Sequence, residues 1–206
     1  MSSNKKRSLK PFWILLAISG FPYLFSWIYF ANMDNLPQMN PSNRGELIEP
    51  VRSIADMQLS KIDGQALDAQ TLKGNWVLAT VGASHCGEDC QRNVYHITQI
   101  RRLMGEERER IKRMFVLLDE NNLQDFKQGI SSYGDIDIIK AEASDGSRLI
   151  AQMQVEGVSP ENRVFIIDPL ANLIMVYNAD ADPQDIAKDF KRLLKVVRIG
   201  QPKQAG

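Results

Sequence analysis

The sequence predicts an α/β domain, in which a mixed sheet is flanked by helices, preceded by one N-terminal transmembrane helix. Residues 11–31 carry no charge, and a helix of this length spans roughly 31 Å, which matches the hydrocarbon core of a bilayer. Farther along, short apolar runs alternate with segments of helical periodicity. A hairpin pattern over residues 163–177 and a last amphipathic helix then complete an α/β arrangement.

Composition limits the functional classes. The 206 residues hold 25 basic and 25 acidic side chains, and four of the basic ones lie within the first ten residues. The rest of the chain is therefore slightly acidic and lacks the basic surface that nucleic-acid binding requires. A hydrophobic content of 44% is typical of a globular protein. Two cysteines are too few for a disulfide-stapled mini-domain.

The uncharged segment is predicted to be a retained membrane anchor that contacts the lipid bilayer through residues 11–31. A cleaved signal peptide is the alternative, but the apolar stretch is long for one and no small-residue cleavage site follows it cleanly. Basic residues precede the segment, and none follows it before Arg44. The positive-inside rule then places the N-terminus in the cytoplasm and the C-terminal domain on the periplasmic side of the inner membrane.

Five regions follow from these patterns: a basic cytoplasmic N-terminus over residues 1–10, the transmembrane anchor over 11–31, a linker over 32–53, the α/β domain over 54–197, and a flexible tail over 198–206. The linker is rich in Asn, Pro and Ser and shows no apolar periodicity.

Within the α/β domain, each element has its own local signal. Alternating residues 57–62 before Asp63-Gly64 indicate a strand and a turn. Apolar runs predict buried strands, and apolar residues at helical spacing predict helices. The predicted strands are 76–81, 114–118, 136–139, 163–169 and 172–177. The predicted helices are 94–104, 123–133, 147–155 and 183–197.

Two cysteines form the sharpest chemical signal. Cys86 and Cys90 follow a predicted buried strand and lie where a helix is expected to begin. Residues four apart on a helix share a face, within reach of a disulfide after modest adjustment, and a helix N-terminus favours thiolate. Glu88 and Asp89 oppose this by raising the thiol pKa, which favours a reducing or metal-holding pair. Two buried cysteines or a permanent staple are the structural alternative, although so short a loop removes little chain entropy.

The sequence resembles the thioredoxin-like redoxin superfamily. The resemblance covers roughly residues 54–197 and lies in Ile62-Asp-Gly-Gln, in Thr71-Leu-Lys-Gly-Asn-Trp-Val-Leu before the cysteines, and in Val164-Phe-Ile-Ile-Asp-Pro after them. The Cys-x3-Cys spacing and the single anchor are similar to the Sco/SenC branch. This resemblance implies a thioredoxin fold and a role in maturing the copper centre of cytochrome c oxidase. The implied partner is the copper-binding subunit of the oxidase or another assembly factor.

The resemblance implies two activities for the cysteines. Members of the Sco/SenC branch bind copper through both cysteines and a later histidine, or they reduce the disulfide of the oxidase subunit. Here the corresponding stretch, residues 158–163, contains no histidine. Copper bound by Cys86 and Cys90 alone needs a further ligand to be held firmly, so the departure favours thiol–disulfide exchange.

Two further residues are candidates for tuning the site. His85 adjoins Cys86 and is a substitute metal ligand, an imidazolium that stabilises the Cys86 thiolate, or a solvated loop histidine. Pro160 lies about where proteins of this superfamily carry a cis-proline that faces the cysteines, and an ordinary loop proline is the alternative. His96 is expected to face away from the site, since it lies six positions past Cys90 in the predicted helix.

Three functional hypotheses follow. In the first, a Sco-like assembly protein exchanges disulfides as a thiol–disulfide oxidoreductase, with Cys86 attacking and Cys90 resolving, although the two roles can be reversed. In the second, the same cysteines carry Cu(I) as a chaperone. In the third, the domain is a scaffold for oxidase assembly without chemistry of its own.

Overall fold

The computed structural model describes residues 10–32, 44–143 and 145–200, which belong to two separate compact units. The first unit holds one helix, α1 (Lys10–Ala31), which continues through Pro22. Among the described residues, one helix is long and apolar enough to cross a membrane, over Phe12–Ala31. Its apolar residues occupy the whole circumference rather than one face, as in a helix surrounded by lipid.

The second unit has alternating strands and helices. Its strands are β1 (Glu46–Ser53), β2 (Gln58–Ser60), β3 (Ala66–Asp68), β4 (Trp76–Gly82), β5 (Ile111–Leu117), β6 (Asp137–Lys140), β7 (Val164–Ile167) and β8 (Asn172–Tyr177). Its helices are α2 (Glu88–Leu103), α3 (Leu123–Ser131), α4 (Gly146–Met153) and α5 (Pro183–Gly200). Short 3-10 segments cover Ala69–Leu72 and Gly105–Arg110.

Six of these strands form one mixed sheet in the order β1-β8-β7-β4-β5-β6. The β4–β5 and β5–β6 pairs are parallel, whereas β4–β7, β7–β8 and β1–β8 are antiparallel. The remaining strands, β2 and β3, pair as a separate hairpin. The predicted mixed sheet with flanking helices is confirmed.

The core lies on both faces of the sheet, and all seven residues of the central strand β4 are buried. Trp76 and Leu78 face α2 and α5, where they pack with Ile97 and Phe190. Val77, Ala79 and Val81 face the opposite side, toward α4 and the β2–β3 hairpin. A strand that is covered on both faces requires a continuous apolar run, which is why β4 was recognisable in the sequence.

The predicted domain boundary at residue 54 needs correction, because β1 occupies part of the predicted linker. This strand pairs with β8 at the edge of the sheet. The prediction missed it because Ile48 is its one fully buried side chain, so that no apolar alternation marks the strand. At the other end, α5 continues to Gly200, past the predicted start of the tail. Residues 1–9, 33–43 and 201–206 lie outside the described residues.

A buried carboxylate joins the beginning of the second unit to its last helix. Asp189 is 1% exposed and accepts hydrogen bonds from the backbone N–H groups of Arg44 and Gly45 at 2.6 and 3.3 Å. The hydroxyl of Tyr177 donates a third bond, at 3.2 Å. Burial and the neighbouring Asp189 carboxylate raise the pKa of Tyr177 far above its usual value. Asp189 thereby fixes the chain just before β1.

We expect Asp189→Ala to lower the free energy of unfolding by about 2–4 kcal/mol, because three donors, two of them buried, lose their acceptor. Asp185→Ala, one turn earlier on α5, removes only surface ion pairs and is expected to cost less than about 1 kcal/mol. Urea unfolding of the full chain in detergent, followed by circular dichroism, measures both changes. Equal effects of the two substitutions would contradict this role for Asp189.

Candidate functional site

Cys86 and Cys90 form a disulfide, with their Cα atoms 5.1 Å apart. The two sulfurs are not equivalent in their surroundings. Cys90 is 3% exposed and belongs to a core cluster with Val94 and Phe115, whereas Cys86 is only partly buried against that cluster. An incoming thiol or disulfide therefore reaches Cys86 first.

The spacing suggested that the two cysteines share a helix, but only Cys90 lies in one. Helix α2 begins at Glu88, with Gly87 in an extended conformation as its N-cap. Cys86 lies in the preceding turn with φ of +31°, and its backbone N–H donates to the carbonyl of Ala83 at 3.1 Å. Cys90 is in the first turn of α2, so the positive end of the helix dipole faces the pair. Glu88 and Asp89 occupy the same turn and reduce this effect.

Gly82, the last residue of β4, makes room for the disulfide. A Cβ atom at this position would lie 3.1 Å from Sγ of Cys90 and 3.0 Å from Cζ of Phe115. Both distances are shorter than ordinary van der Waals contact. A side chain at this position therefore requires Phe115 or Cys90 to shift by a few tenths of an ångström.

A polar network that sequence reasoning missed holds the loop that carries Cys86. Ser84 is 2% exposed, and its hydroxyl donates to Oδ1 of Asp119 at 2.5 Å while accepting from the N–H of Asn122 at 2.9 Å. The N–H of Ser84 donates to Oδ2 of Asp119 at 3.3 Å. One signal was available: parallel strands end at the same edge of a sheet, so Ser84 and Asp119 follow neighbouring strand ends.

This network stabilises the ionised form of Asp119. The hydroxyl of Ser84 and the N–H of Asn121 hydrogen-bond the carboxylate, and His85 adds a favourable charge interaction, so the pKa of Asp119 lies below its usual 3.8. Asp119 thus places a negative charge behind the loop at neutral pH. It is a positioning residue for the turn that contains Cys86.

A second loop borders the disulfide from the β7 side. The N–H of Asn162 donates to the carbonyl of Val81 at 2.8 Å, and its own carbonyl accepts from the side chain of Asn93 at 2.7 Å. The hydroxyl of Thr80 donates to the carbonyl of Arg163 at 3.0 Å. This loop, residues 161–163, is therefore tied to both β4 and α2. The hydrogen bonds of this loop link segments that are far apart in the sequence, so no local sequence pattern predicts them.

The structure corrects the expectation for Pro160. The residue is buried in the loop before β7, its peptide bond with Ser159 is trans, and the cis bond among the described residues is Glu49–Pro50. Pro160 is not among the residues that line the cavities at the disulfide, whereas Glu161 and Asn162 are. The resemblance misplaced Pro160 because three residues separate it from β7. The last two of these, Asn162 and Arg163, are hydrogen-bonded to β4.

Two cavities meet at Cys86. The larger cavity, of about 460 Å³, lies between α2 and α3; Cys86, His85 and Ser84 border it, as do the apolar side chains of Val94, Phe126 and Ile130. The smaller cavity, of about 200 Å³, is lined by both cysteines and His85 together with Glu88, Asp89, Glu161 and Asn162. Cys86 and His85 are common to the two cavities. A molecule that reaches Cys86 therefore contacts one or both.

The two histidines have different surroundings. His85 is exposed beside Cys86. His96 lies on α2 outside both cavities, and burial followed by the charge of Arg92 lowers its pKa. Among the described residues, no group of three or more His, Cys, Asp or Glu side chains is arranged to hold a metal ion. Reduction would free two soft sulfur donors beside one imidazole, a set that suits Cu(I) better than Cu(II).

The fold and the cysteine site together define a thioredoxin-like protein. The model of the family "Transmembrane-like, thioredoxin-like, C-terminal domain" matches residues 76–197, and the chain belongs to this family. A search of curated proteins finds no match.

Solved structures of Sco proteins share the fold. A SCO1/SenC family lipoprotein from Bacillus anthracis is 16% identical, with a TM-score of 0.54 over 74% of this chain and 99% of that one. Copper-bound ScoI from Arabidopsis thaliana is 12% identical, with a TM-score of 0.53 over 68% and 96%. BsSco, described as a Sco-family cytochrome c oxidase assembly protein with a disulfide switch, is 17% identical, with a TM-score of 0.51 over 71% and 96%. The predicted resemblance to Sco/SenC and thioredoxin-like proteins is confirmed in the fold.

The unequal burial of the sulfurs predicts unequal reactivity. In the full chain, Cys90→Ser leaves the Cys86 thiol free, and Cys86→Ser leaves the Cys90 thiol free. We expect iodoacetamide to alkylate Cys86 about tenfold faster or more, because Cys90 reacts only after local opening. Mass spectrometry of timed samples gives both rates. A faster reaction at Cys90 would reverse the attacking and resolving roles.

The depressed pKa of Asp119 predicts a pH-dependent contribution to stability. The ionised group stabilises the fold above pH 3.8, and this contribution is lost as the pH falls through the lower pKa of the folded state. We expect Asp119→Asn to reduce the free energy of unfolding by about 1 kcal/mol at neutral pH. The difference from the wild type should narrow below pH 3.8 in urea titrations. The control is Asp125→Asn at an exposed position, with an expected change below about 0.5 kcal/mol in the free energy of unfolding. If the difference between Asp119→Asn and the wild type did not depend on pH, the role of Asp119 would be contradicted.

Proposed function

We propose that this protein is a membrane-anchored, Sco-like thiol–disulfide oxidoreductase that assists assembly of the copper centre of cytochrome c oxidase. One observation carries the proposal: a partly exposed sulfur, Cys86, is bonded to a buried sulfur, Cys90, at the N-terminus of a helix on a thioredoxin-like sheet. An accessible attacking sulfur and a protected resolving sulfur are what a two-step exchange requires.

In the reduced protein, the thiolate of Cys86 attacks one sulfur of a partner disulfide. The partner's S–S bond breaks, its other sulfur leaves as a thiolate, and a mixed disulfide joins Cys86 to the partner. Cys90 then loses its proton and attacks Sγ of Cys86, which displaces the remaining partner sulfur. Two electrons pass to the partner, the Cys86–Cys90 bond forms again, and an external dithiol protein must reduce it before the next turnover.

Neighbouring residues support each step. The N-terminus of α2 stabilises a negative sulfur, while Glu88 and Asp89 keep that stabilisation moderate, so the pair serves as a reductant rather than a strong oxidant. The imidazole of His85 tunes the Cys86 thiolate from the rim of both cavities. Asp119 and Ser84 hold the loop, so that Cys86 keeps its position while Cys90 approaches it.

The site of action follows from α1. We place this helix in the inner membrane, with the preceding basic residues in the cytoplasm and the thioredoxin-like domain in the periplasm. Cysteine pairs cycle through disulfides in that compartment. The proposed client is the copper-binding subunit of the oxidase or another assembly factor, as suggested by the fold shared with BsSco.

The proposal predicts that Cys86→Ser and Cys90→Ser each abolish function. In cells that lack the protein, we expect oxidase activity to fall and the copper-site cysteines of the subunit to accumulate as a disulfide. The wild-type chain should restore the oxidase activity and the reduced state of the copper-site cysteines, whereas neither single variant should restore them. Alkylation of membrane extracts reports the thiol state, and the buried control Met153→Leu, a volume-conserving change in the core, should behave as wild type. Full rescue by the Cys86→Ser, Cys90→Ser double variant would instead identify a scaffold.

Copper delivery is the alternative, favoured by the presence of both cysteines and His85 around the smaller cavity. Residues 158–163, which the resemblance aligns with the third-ligand region, present Glu161 and Asn162 to that cavity and contain no histidine. Titration of the reduced full chain with Cu(I) against a chromophoric chelator separates the two functions. One equivalent held tightly, and lost in Cys86→Ser, would support copper delivery. Disulfide reduction that continues unchanged in excess chelator would support exchange without metal.

A further inference from the structure

The larger cavity has features that the exchange reaction alone does not use. Its volume of about 460 Å³ falls within the range of roughly 300–1,000 Å³ typical of ligand sites. Its apolar wall comes from Val94 on α2 and from Phe126 and Ile130 on α3, which belong to the same core cluster as Cys90. These three side chains are at most 7% exposed, so a partner group that enters the cavity beside Cys86 is enclosed largely by apolar atoms.

The charges around the disulfide are mostly negative. Glu88 and Asp89 border the smaller cavity on α2, Glu161 borders it from the loop before β7, and Asp125 lines the larger cavity on α3. Asp89 is paired with Arg92. Both cavities therefore present carboxylates beside Cys86, and a cationic partner complements them.

The arrangement of the cavities identifies the shape of the partner. Cys86 lines both cavities. When the cysteine of an extended polypeptide reaches Cys86, the residues on its two sides extend into the two cavities. A small thiol would occupy only one cavity. An apolar side chain would bury its surface against Phe126 and Ile130, while basic side chains would face the carboxylates.

We propose that the larger cavity is the docking site for an extended segment of the client, in which a bulky apolar residue and basic residues flank the reacting cysteine. This inference rests on the proposed exchange function and adds its substrate specificity. The apolar side chain enters between α2 and α3, and the basic residues lie near Asp125 and Glu161. The docking aligns the client's disulfide with Cys86 before attack, which raises the rate by orientation.

Gly129 offers a substitution that fills the cavity without disturbing the fold. It lies on α3 and lines the larger cavity, and a Cβ atom built there meets nothing within 4 Å. Leucine also has a higher helix propensity than glycine. Gly129→Leu should therefore fold and occupy the space intended for the client's side chain, whereas Gly129→Ala is a matched control that leaves most of the space open.

The test uses the reduced full chain in detergent with synthetic peptides as probes. Each peptide carries a cysteine in mixed disulfide with 5-thio-2-nitrobenzoate: the first is Arg-Phe-Cys-Ala-Arg, the second has Glu for Arg, and the third has Ala for Phe. When the protein reduces the mixed disulfide of the peptide, Cys86 and Cys90 are oxidised to their own disulfide. The reaction releases one peptide thiol and one coloured thiolate. The absorbance of that thiolate gives the rate constant. Hydroxyethyl disulfide, with its thiol product quantified separately, reports the intrinsic reactivity of the cysteines.

We expect the first peptide to react about tenfold faster than the Ala peptide, since its aromatic side chain is buried. It should react about two- to fivefold faster than the Glu peptide, a difference that added salt reduces. Gly129→Leu should abolish the advantage of the Phe peptide, and Gly129→Ala should retain it. Asp125→Asn should reduce the preference for Arg over Glu. Each peptide rate is divided by the rate of the same variant with hydroxyethyl disulfide, so that a change in the reactivity of the cysteines themselves is not counted as a change in docking.

Two results would overturn the inference in different ways. Equal rates for the three peptides, or an unchanged Phe advantage in Gly129→Leu, would refute docking in the larger cavity while leaving the exchange function in place. Failure to reduce hydroxyethyl disulfide at all would refute the exchange function, and with it the docking that depends on it.

Discussion

The parallel pairing of β4 with β5 is the constraint on which the site depends. The two strands run in register from Trp76 opposite Ile111 to Gly82 opposite Leu117, so their carboxyl ends lie side by side. The loop after β4 carries Cys86, and the residues after β5 include Asp119, which holds that loop through Ser84. Because β4 is buried on both faces, a shift in this pairing would disturb the core and the site together.

Around this pairing, each element gives the disulfide a distinct property. Helix α2 supplies a dipole and places Cys90 in the core, while the turn before the helix leaves Cys86 within reach of solvent. The loop before β7 borders the pair through Asn162, whose N–H group bonds to the carbonyl of Val81 on β4. Helix α3 adds an apolar wall beside Cys86. The sulfurs thus differ in access although they lie only four residues apart.

This chain shares its fold with Sco structures but departs from the Sco pattern at the position of the later histidine. At 12–17% identity the shared property is the fold, and the chemistry must be inferred from this chain's own residues. Without a histidine in residues 158–163, the reduced pair would have His85 as its neighbouring nitrogen donor. Two thiols of unequal exposure then suit electron transfer to a bound disulfide better than firm retention of copper, which is why exchange is the favoured proposal.

The sequence by itself determined the α/β class, most of the strands and helices, the apolar N-terminal helix and the Cys86–Cys90 pair, because each depends on composition or on periodicity within one short segment. It missed β1, whose one fully buried side chain leaves no alternating pattern. Only the tertiary structure decided that Ser84 meets Asp119, that Asn162 rather than Pro160 lines the smaller cavity, and that α3 forms a wall beside Cys86. These contacts join residues 30 or more positions apart, and they are set by strand pairing and packing that no local pattern encodes.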